Sequence, residues 1–451
     1  MWAPELDAPD GPRYLALAEM IGEAVRRGDL APGDRLPTHR EMADRLGLAL
    51  TTVTRGYAEA QRRGLVRGEV GRGTFVRGAA AARLDGAGEP IDLRSNSLLP
   101  YGLMPELAAR IQQIVSRSDL SRLFGYAPHR GLERHREAGA SWLAQTGLRV
   151  SHDEVLITAG AQHAMAVVFA TILAPGDTLL VEHVTYAGMK ALANLLRVRL
   201  EPLPMDGHGL LPDGLRAALV RRAAAALYCM SALQNPTTAV MTEDRCRQIA
   251  AVLDEFGVPV VEDDSYGFVL PGRTPLSARV AQGYYITGTS KSLLPALRIG
   301  FLHAPQSMVP RLEATLSSTV FQASPMTSAI VAEWIEDGTA ERVVRWKRDE
   351  LTERQRIVRR VLADQDYMAH PGGPHGWLRI PEPWSVRDFT TQAALRGVAV
   401  TSSDEFAVGR DAPHAVRLSV GPVAERARLE QAVTALAQIL AEGPEPIKTL
   451  A

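Results

Sequence analysis

Long apolar runs are missing from this chain of 451 residues. With no stretch of about 18 consecutive apolar residues, no membrane-spanning helix is expected. Cysteine is nearly absent. Cys229 and Cys246 cannot build a disulfide framework or a four-thiolate zinc site, and no metal site is expected. A surplus of charge is missing too: 50 basic and 51 acidic residues leave a formal −1. That excludes a polybasic protein that coats nucleic acid through bulk charge, although not a local DNA-binding face. The opening MWAPELDAPDGPRY is acidic and proline-bearing without an apolar core segment, so no signal peptide is expected, and the expected compartment is a reducing cytoplasm. Lysine is the shortage that matters most. Of 50 basic residues only four are lysine: Lys190, Lys291, Lys347 and Lys448.

What is present reads as a globular protein, with 46% hydrophobic and 22% charged residues. The length predicts two to four domains. Residues 78–90, GAAAARLDGAGEP, are rich in Ala and Gly without apolar periodicity and read as a linker. They set a unit of residues 1–77 apart from the remainder. Over residues 91–340 apolar runs such as TLLVEH, ALYCMS and VPVVEDD alternate with helical stretches such as 242–256. That pattern predicts an α/β fold with a mostly parallel sheet covered on both faces. Residues 341–451 open with an arginine-rich helix and carry fewer, differently spaced strands, which suggests a smaller C-terminal α+β subdomain.

The small unit carries strong punctuation. In LPTHRE, Thr38 stands three residues before Glu41, a capping box that predicts a helix start. Gly47 is the expected left-handed stop. A second helix is predicted from Leu50 to Arg63, ended by Gly64, and the pair predicts a helix-turn-helix. Spacing turns Val53, Tyr57 and Ala60 inward and Thr51, Thr52 and Arg55 outward. The following LVRGEVGRGTFV, residues 65–76, reads as a hairpin wing with Arg72 between two glycines. Residues 40–77 hold eight arginines against four acids. Arg40, Arg55 and Arg72 can reach phosphates or groove edges, with Thr51 and Thr52 beside them. The alternative, a protein-binding helical hairpin with a solvated arginine face, does not explain the wing. Residues 12–77 resemble the winged helix of the GntR family of bacterial transcription regulators. That family commonly has Ser-Arg before the recognition helix. Ala49-Leu50 stand here, so that position supplies neither a side-chain cap nor a guanine contact.

The second signal is GTSKSLLPALRIG, residues 288–300. Lys291 sits in a small polar turn of a chain that otherwise relies on arginine. A deprotonated lysine forms a Schiff base and an arginine cannot. Arg298, seven residues on, has the planar fork that suits a phosphate, and Ser290 adds a hydroxyl. A lone loop lysine is ordinarily a surface residue, but further residues suit pyridoxal 5′-phosphate. Its ring nitrogen needs a carboxylate. Asp263 in VVEDDSYG stands at a strand's C-terminal end, where open α/β sheets bind ligands. Tyr266 and Asn235 suit the ring hydroxyl, and Tyr186 the ring face. Gly160, Ala161 and Gln162 open a helix whose N-terminus suits the phosphate. Each has a bland reading by itself: Asp263 as a helix cap, Asn235 as a turn residue, Tyr186 as core.

Together, in this order, these residues resemble the fold-type I aminotransferases over about residues 91–443. The resemblance implies that Tyr126 in GYAPHRG reaches the phosphate of a neighbouring subunit. It also implies that Arg417 in VRLSVG clamps a ligand carboxylate. Where the family often has Ser or Thr three residues before the lysine, Gly288 stands, so that phosphate contact is expected to be missing or supplied by Thr289. The joined arrangement resembles the MocR subfamily of GntR-type regulators. It implies a pyridoxal phosphate-dependent, DNA-binding transcription regulator, a homodimer that is two-fold or domain-swapped. The cofactor is expected as an internal aldimine on Lys291, which a small amino compound displaces as an external aldimine. One alternative is a working aminotransferase with an accessory N-terminal unit. Another is an inert dimerisation body, against which the intact Lys291, Asp263 and Arg298 argue.

Overall fold

A computed structural model describes residues 12–27, 30, 34–62, 65–69, 73–76, 90–98, 101–117 and 120–444. The chain divides into two compact units, Met1–Ala87 and Gly88–Ala451. The first contains α1 (Arg13–Arg27), α2 (His39–Leu46), α3 (Leu50–Arg62) and an antiparallel hairpin, β1 (Val66–Glu69) and β2 (Gly73–Val76). The capping box forms: the Thr38 hydroxyl accepts from the Glu41 amide at 3.3 Å, and the Glu41 carboxylate accepts from the Thr38 amide at 2.7 Å. Gly47 ends α2 at φ 59°. Where α3 lies on α1, a Cβ at Gly56 would stand 2.7 Å from Leu17 Cδ2, so this approach requires glycine. Leu17, Ile21, Met42, Val53, Tyr57 and Ala60 are core residues.

The second unit begins with β3 (Ile91–Asp92), α4 (Met104–Val115), α5 (Leu120–Phe124) and α6 (Glu133–Gln145). Alternation follows: β4 (Val155–Thr158), α7 (Ala161–Ile172), β5 (Thr178–Glu182), α8 (Ala187–Leu196), β6 (Arg199–Leu203), then a short hairpin of β7 (Met205–Asp206) and β8 (Gly209–Leu210). Next come α9 (Pro212–Arg221), β9 (Ala226–Cys229), α10 (Glu243–Phe256), β10 (Val260–Asp263), β11 (Gly283–Gly288), α11 (Thr289–Ser292) and β12 (Gly300–His303). One seven-stranded sheet runs in the order β4-β12-β11-β10-β9-β5-β6. Strands β5, β6, β9, β10 and β11 are parallel, and β12 is antiparallel to both β11 and β4. Helices cover both faces, which is why the central strands read as unbroken apolar runs. Edge strand β6 is largely uncovered and tolerates Pro202.

The chain continues through α12 (Val309–Thr319), α13 (Pro325–Glu336) and α14 (Thr339–Val361) into an antiparallel sheet. Its strands are β13 (Tyr367–Met368), β14 (His375–Arg379), β16 (Thr401–Ser402) and β17 (Ala415–Ser419), in the order β13-β14-β17-β16. Helices α15 (Val386–Leu395) and α16 (Arg426–Glu442) belong to the same region, and β15 (Val398–Ala399) pairs in parallel with β3. The residues just after 78–90 are thus built into the second unit. The arginine-rich α14 is not simply a solvated face. Buried Arg354 pairs with Glu350 at 2.7 Å and donates to the carbonyls of Val420, Val423 and Ala424. Among the described residues, no helix is long and apolar enough to cross a membrane.

Candidate functional site

Residues that follow the C-terminal ends of β4, β5, β9, β10 and β11 line a cavity of about 280 Å³, with Arg417 from β17 and Asn96. Of the anticipated residues, Lys291, Asp263, Tyr266, Asn235, Arg298 and Tyr186 come to this one place. Ala161, Gln162, Ser290 and Arg417 line it as well. A larger cleft of about 1030 Å³ lies between Thr237–Ala239 and Tyr367–Ile380, and no lysine lines it.

Asp263 ends β10 and is buried. Its carboxylate accepts from the Tyr228 hydroxyl at 3.0 Å, the Ser265 hydroxyl at 2.6 Å and the Ser265 amide at 3.1 Å. Burial pushes its carboxyl above the usual range, and those donors and Lys291 pull back. Lys291 shows the complementary shift. Its amine is pushed down to about 8, chiefly by burial and next by Arg417, with Asp263 opposing and Arg298 adding. An amine so depressed is partly neutral near pH 7, the form that attacks a carbonyl.

Arg417 Nη1 donates to Asn235 Oδ1 at 2.8 Å and Nη2 donates to the Arg94 carbonyl, while the guanidinium carbon lies 4.9 Å from the Phe406 ring centroid. Asn235 therefore keeps its amide N–H groups for a ligand. Tyr266 accepts at its hydroxyl from Asn96 Nδ2 at 2.7 Å. The same amide lies 2.8 Å from His375 Nδ1, and His375 Nε2 lies 3.1 Å from the Gln234 carbonyl. Burial, then Arg417, pushes His375 down to about 3. The ring is therefore neutral, with its proton on Nε2 toward Gln234, and Asn96 must turn its donor toward Nδ1. Sequence reasoning missed Asn96, Tyr228 and His375, because their sole signal is spatial.

The phosphate end can be tested against the backbone. Gly160 precedes α7 at φ 93°, and a Cβ there would stand 2.6 Å from Arg298 Nη2. Glycine thus leaves the guanidinium room beside the helix N-terminus, whose first N–H groups have no intrahelical acceptor. Arg298 donates to the Ser290 hydroxyl at 3.1 Å and to the Ala159 carbonyl at 3.2 Å. These groups could cradle an anion, and the set fits pyridoxal phosphate. Gly160, Ala161, Gln162, Ser290 and Arg298 would hold the phosphate, Asp263 the ring nitrogen, Tyr266 and Asn235 the ring hydroxyl, and Lys291 the aldehyde carbon. Thr289 does not compensate for Gly288. It is buried and bonds Ile299 through its hydroxyl and amide, closing the return into β12. Tyr126 lies outside the cavity lining, 90% exposed, with its ring centroid 5.0 Å from that of Phe321.

In the first unit Thr51 and Arg55 lie on the exposed face of α3, and Arg40 is exposed on α2. Arg55 rests its guanidinium 4.2 Å from the centroid of the Tyr14 ring. Thr52 is a correction: it is half-buried, one helical step round from Thr51 and beside buried Glu59, so the outer face continues through Thr54 and Ala58 instead. Arg72 lies outside the described residues.

Comparison with known proteins agrees with this division. The family model for aminotransferase class I and II matches residues 89–436, and that for bacterial regulatory proteins of the gntR family matches residues 13–76. The uncharacterized HTH-type transcriptional regulator YdeF of Bacillus subtilis is 29% identical over 97% of this chain and 96% of its own. The HTH-type transcriptional regulator TauR of Rhodobacter capsulatus is 26% identical over 92% and 95%. A kynurenine aminotransferase from Pyrococcus horikoshii, solved with PMP, superposes at TM-score 0.73, with 22% identity over 79% of this chain and 92% of that one. The chain belongs to the class I and II aminotransferase family and carries that domain behind a GntR-family helix-turn-helix, the two-part build of the MocR regulators.

Proposed function

We propose that this protein is a pyridoxal phosphate-dependent transcription regulator of the cytoplasm that binds double-stranded DNA and senses a small amino compound. The observation that carries the reading is the conjunction in one chain of a helix-turn-helix with a pocket holding Lys291, Asp263 and Arg298 together. The cofactor, when bound, supplies an aldehyde function that can exchange one amine for another. The chain's residues then account for recognition. Arg417 is suited to a carboxylate, so the effector class is a carboxylate-bearing amine.

Arg417 also offers a route outward. A ligand carboxylate that takes its Nη2 competes with the Arg94 carbonyl. Arg94 lies in the segment that directly follows residues 78–90. The Ser419 amide holds the same segment at the Leu93 carbonyl, 2.8 Å away. Occupancy is thereby passed to the chain that leads to the DNA-reading unit. The ligand must bind the two arrangements with different affinity for this to work.

A homodimer completes the reading. Phe124, Tyr126 and Phe321 expose apolar surface, and Gln322 accepts from the Ala127 amide at 2.7 Å, steadying the Tyr126 loop. A second copy covers this face and receives Tyr126 at its phosphate cradle. Two readers then call for DNA half-sites in direct or inverted repeat.

The second reading, a working aminotransferase, is favoured by the full set of groups around the cavity. Borohydride reduction followed by peptide mapping tests the cofactor: the label belongs on Lys291, and a label on Lys190, Lys347 or Lys448 refutes the assignment. DNA binding should weaken steeply with salt and prefer the protein's own upstream region. Lack of any sequence preference, with sustained turnover of an amino donor and a 2-oxo acceptor, decides for the enzyme.

A further inference from the structure

Two of the four lysines meet at one turn. Lys347 is fully buried on α14, and its Nζ donates to the carbonyls of Lys291 at 2.9 Å and Leu293 at 2.6 Å. Nearly every other cation in the chain is arginine. An arginine here would bring five N–H donors and a charge it cannot shed. A neutral lysine amine has two N–H groups, one for each carbonyl. Burial, then the neighbouring Lys291, pushes Lys347 down to about 7, so it can lose its charge near neutrality.

The same helix also fixes the opposite side of the pocket. Gln355 donates to the carbonyls of Gly373 and His375 at the start of β14, at 2.7 and 3.1 Å, and Arg354 donates to the carbonyl of Val420 just past β17. We propose that Lys347 is a positioning residue: it pins the main chain of the Lys291–Leu293 turn to α14, keeping the Lys291 amine in register with the sheet that presents Arg417. The inference rests on the cofactor reading above.

The test uses full-length protein. Lys347→Met removes both donors at similar volume, and Lys347→Gln keeps an NH₂ group. Three quantities are read: the melting temperature of the cofactor-stripped protein, the rate at which visible absorbance grows on adding pyridoxal phosphate, and the pH midpoint for acylation of Lys291 by acetic anhydride without cofactor. Asp263, Arg298, Arg417 and His375 are the same in every variant, and Lys347→Met and Lys347→Gln both remove the neighbouring Lys347 charge, so a difference between those two reports position and not charge.

Lys347→Met should take up cofactor about tenfold more slowly, a small displacement being enough for that. Its acylation midpoint should move by about half a unit or more. Lys347→Gln should recover most of both. A folded Lys347→Met with wild-type rate and midpoint overturns the proposal, as do two variants changed only in melting temperature. If Lys347→Met does not fold, Lys347→Gln is read against wild type, where a near-wild-type uptake rate and midpoint support the proposal and loss of either in the folded protein overturns it. Wild type that forms no visible band removes the cofactor reading and this inference with it. Wild type that traps cofactor at Lys291 while the variants match it removes the inference alone.

Discussion

Gly160→Ala probes the phosphate cradle with a single methyl group. The residue sits at φ 93° and ψ 166°, a region nearly restricted to glycine, so an alanine there costs about 1–3 kcal/mol of backbone strain. The new Cβ would stand 2.6 Å from Arg298 Nη2 and 3.0 Å from its Cζ. Arg298 is exposed and long, so its guanidinium moves before the backbone does, and its bonds to Ser290 and the Ala159 carbonyl break. The loss that matters is the contact to the phosphate. One hydrogen bond to a charged group contributes about 1.5–3 kcal/mol, which is about 10–150-fold in cofactor affinity. The strain should lower the melting temperature of the stripped protein by a few degrees. Cofactor titration by visible absorbance, paired with calorimetry, separates the two effects. In an Arg298→Ala background Gly160→Ala should cost little further affinity, because the group it displaces is gone. Wild-type affinity in Gly160→Ala, or an equal loss in both backgrounds, refutes the reasoning.

Two further outcomes are expected. Arg417→Ala removes two charge-assisted hydrogen bonds to a carboxylate and should weaken effector binding by about 3 kcal/mol, read as a shifted absorbance titration. Cofactor loading should change little, while effector-free DNA binding shifts because the Arg94 carbonyl loses its donor; unchanged effector affinity contradicts the assignment. Acid should destabilise the second unit early. His375 and His135 are pushed down to about 3 and about 4 by burial, so the unfolded chain binds more protons below its histidine pKa of about 6.5, and stability falls as pH drops from there. Replacing His375 with Gln should flatten the melting temperature against pH by one proton's worth of slope; an unchanged slope counts against a neutral buried His375.

Local punctuation was the legible part of the sequence. Thr38, Glu41 and Gly47 mark α2 through contacts three or four residues apart, which a linear reading can see. The apolar runs of β5, β9 and β10 announce a sheet covered on both faces. Lys291 stood out because lysine is rare in this chain, and Asp263 because it ends a strand. The rest needed three dimensions. Asn96 and His375 meet across 279 positions, with nothing in their neighbourhoods to mark them. Thr289 looked like a spare hydroxyl, yet its bonds are taken by Ile299, ten residues away across a strand return. Thr52 and Thr54 differ by about 200° around a helix, and only the packing against α1 settles which faces out. Tyr126 lies apart from its own cavity, so its implied role depends on a second copy of the chain.

The central claim is that occupancy of the pocket changes DNA binding. The direct measurement is fluorescence anisotropy on labelled DNA from the protein's own upstream region. Cofactor-loaded wild type is compared with and without an amino acid that alters its visible absorbance. The account predicts a change in DNA affinity of about fivefold or more, or a change in bending or stoichiometry, without sustained release of a 2-oxo product. DNA affinity, stoichiometry and bending that all ignore a ligand the protein turns over continuously would contradict it.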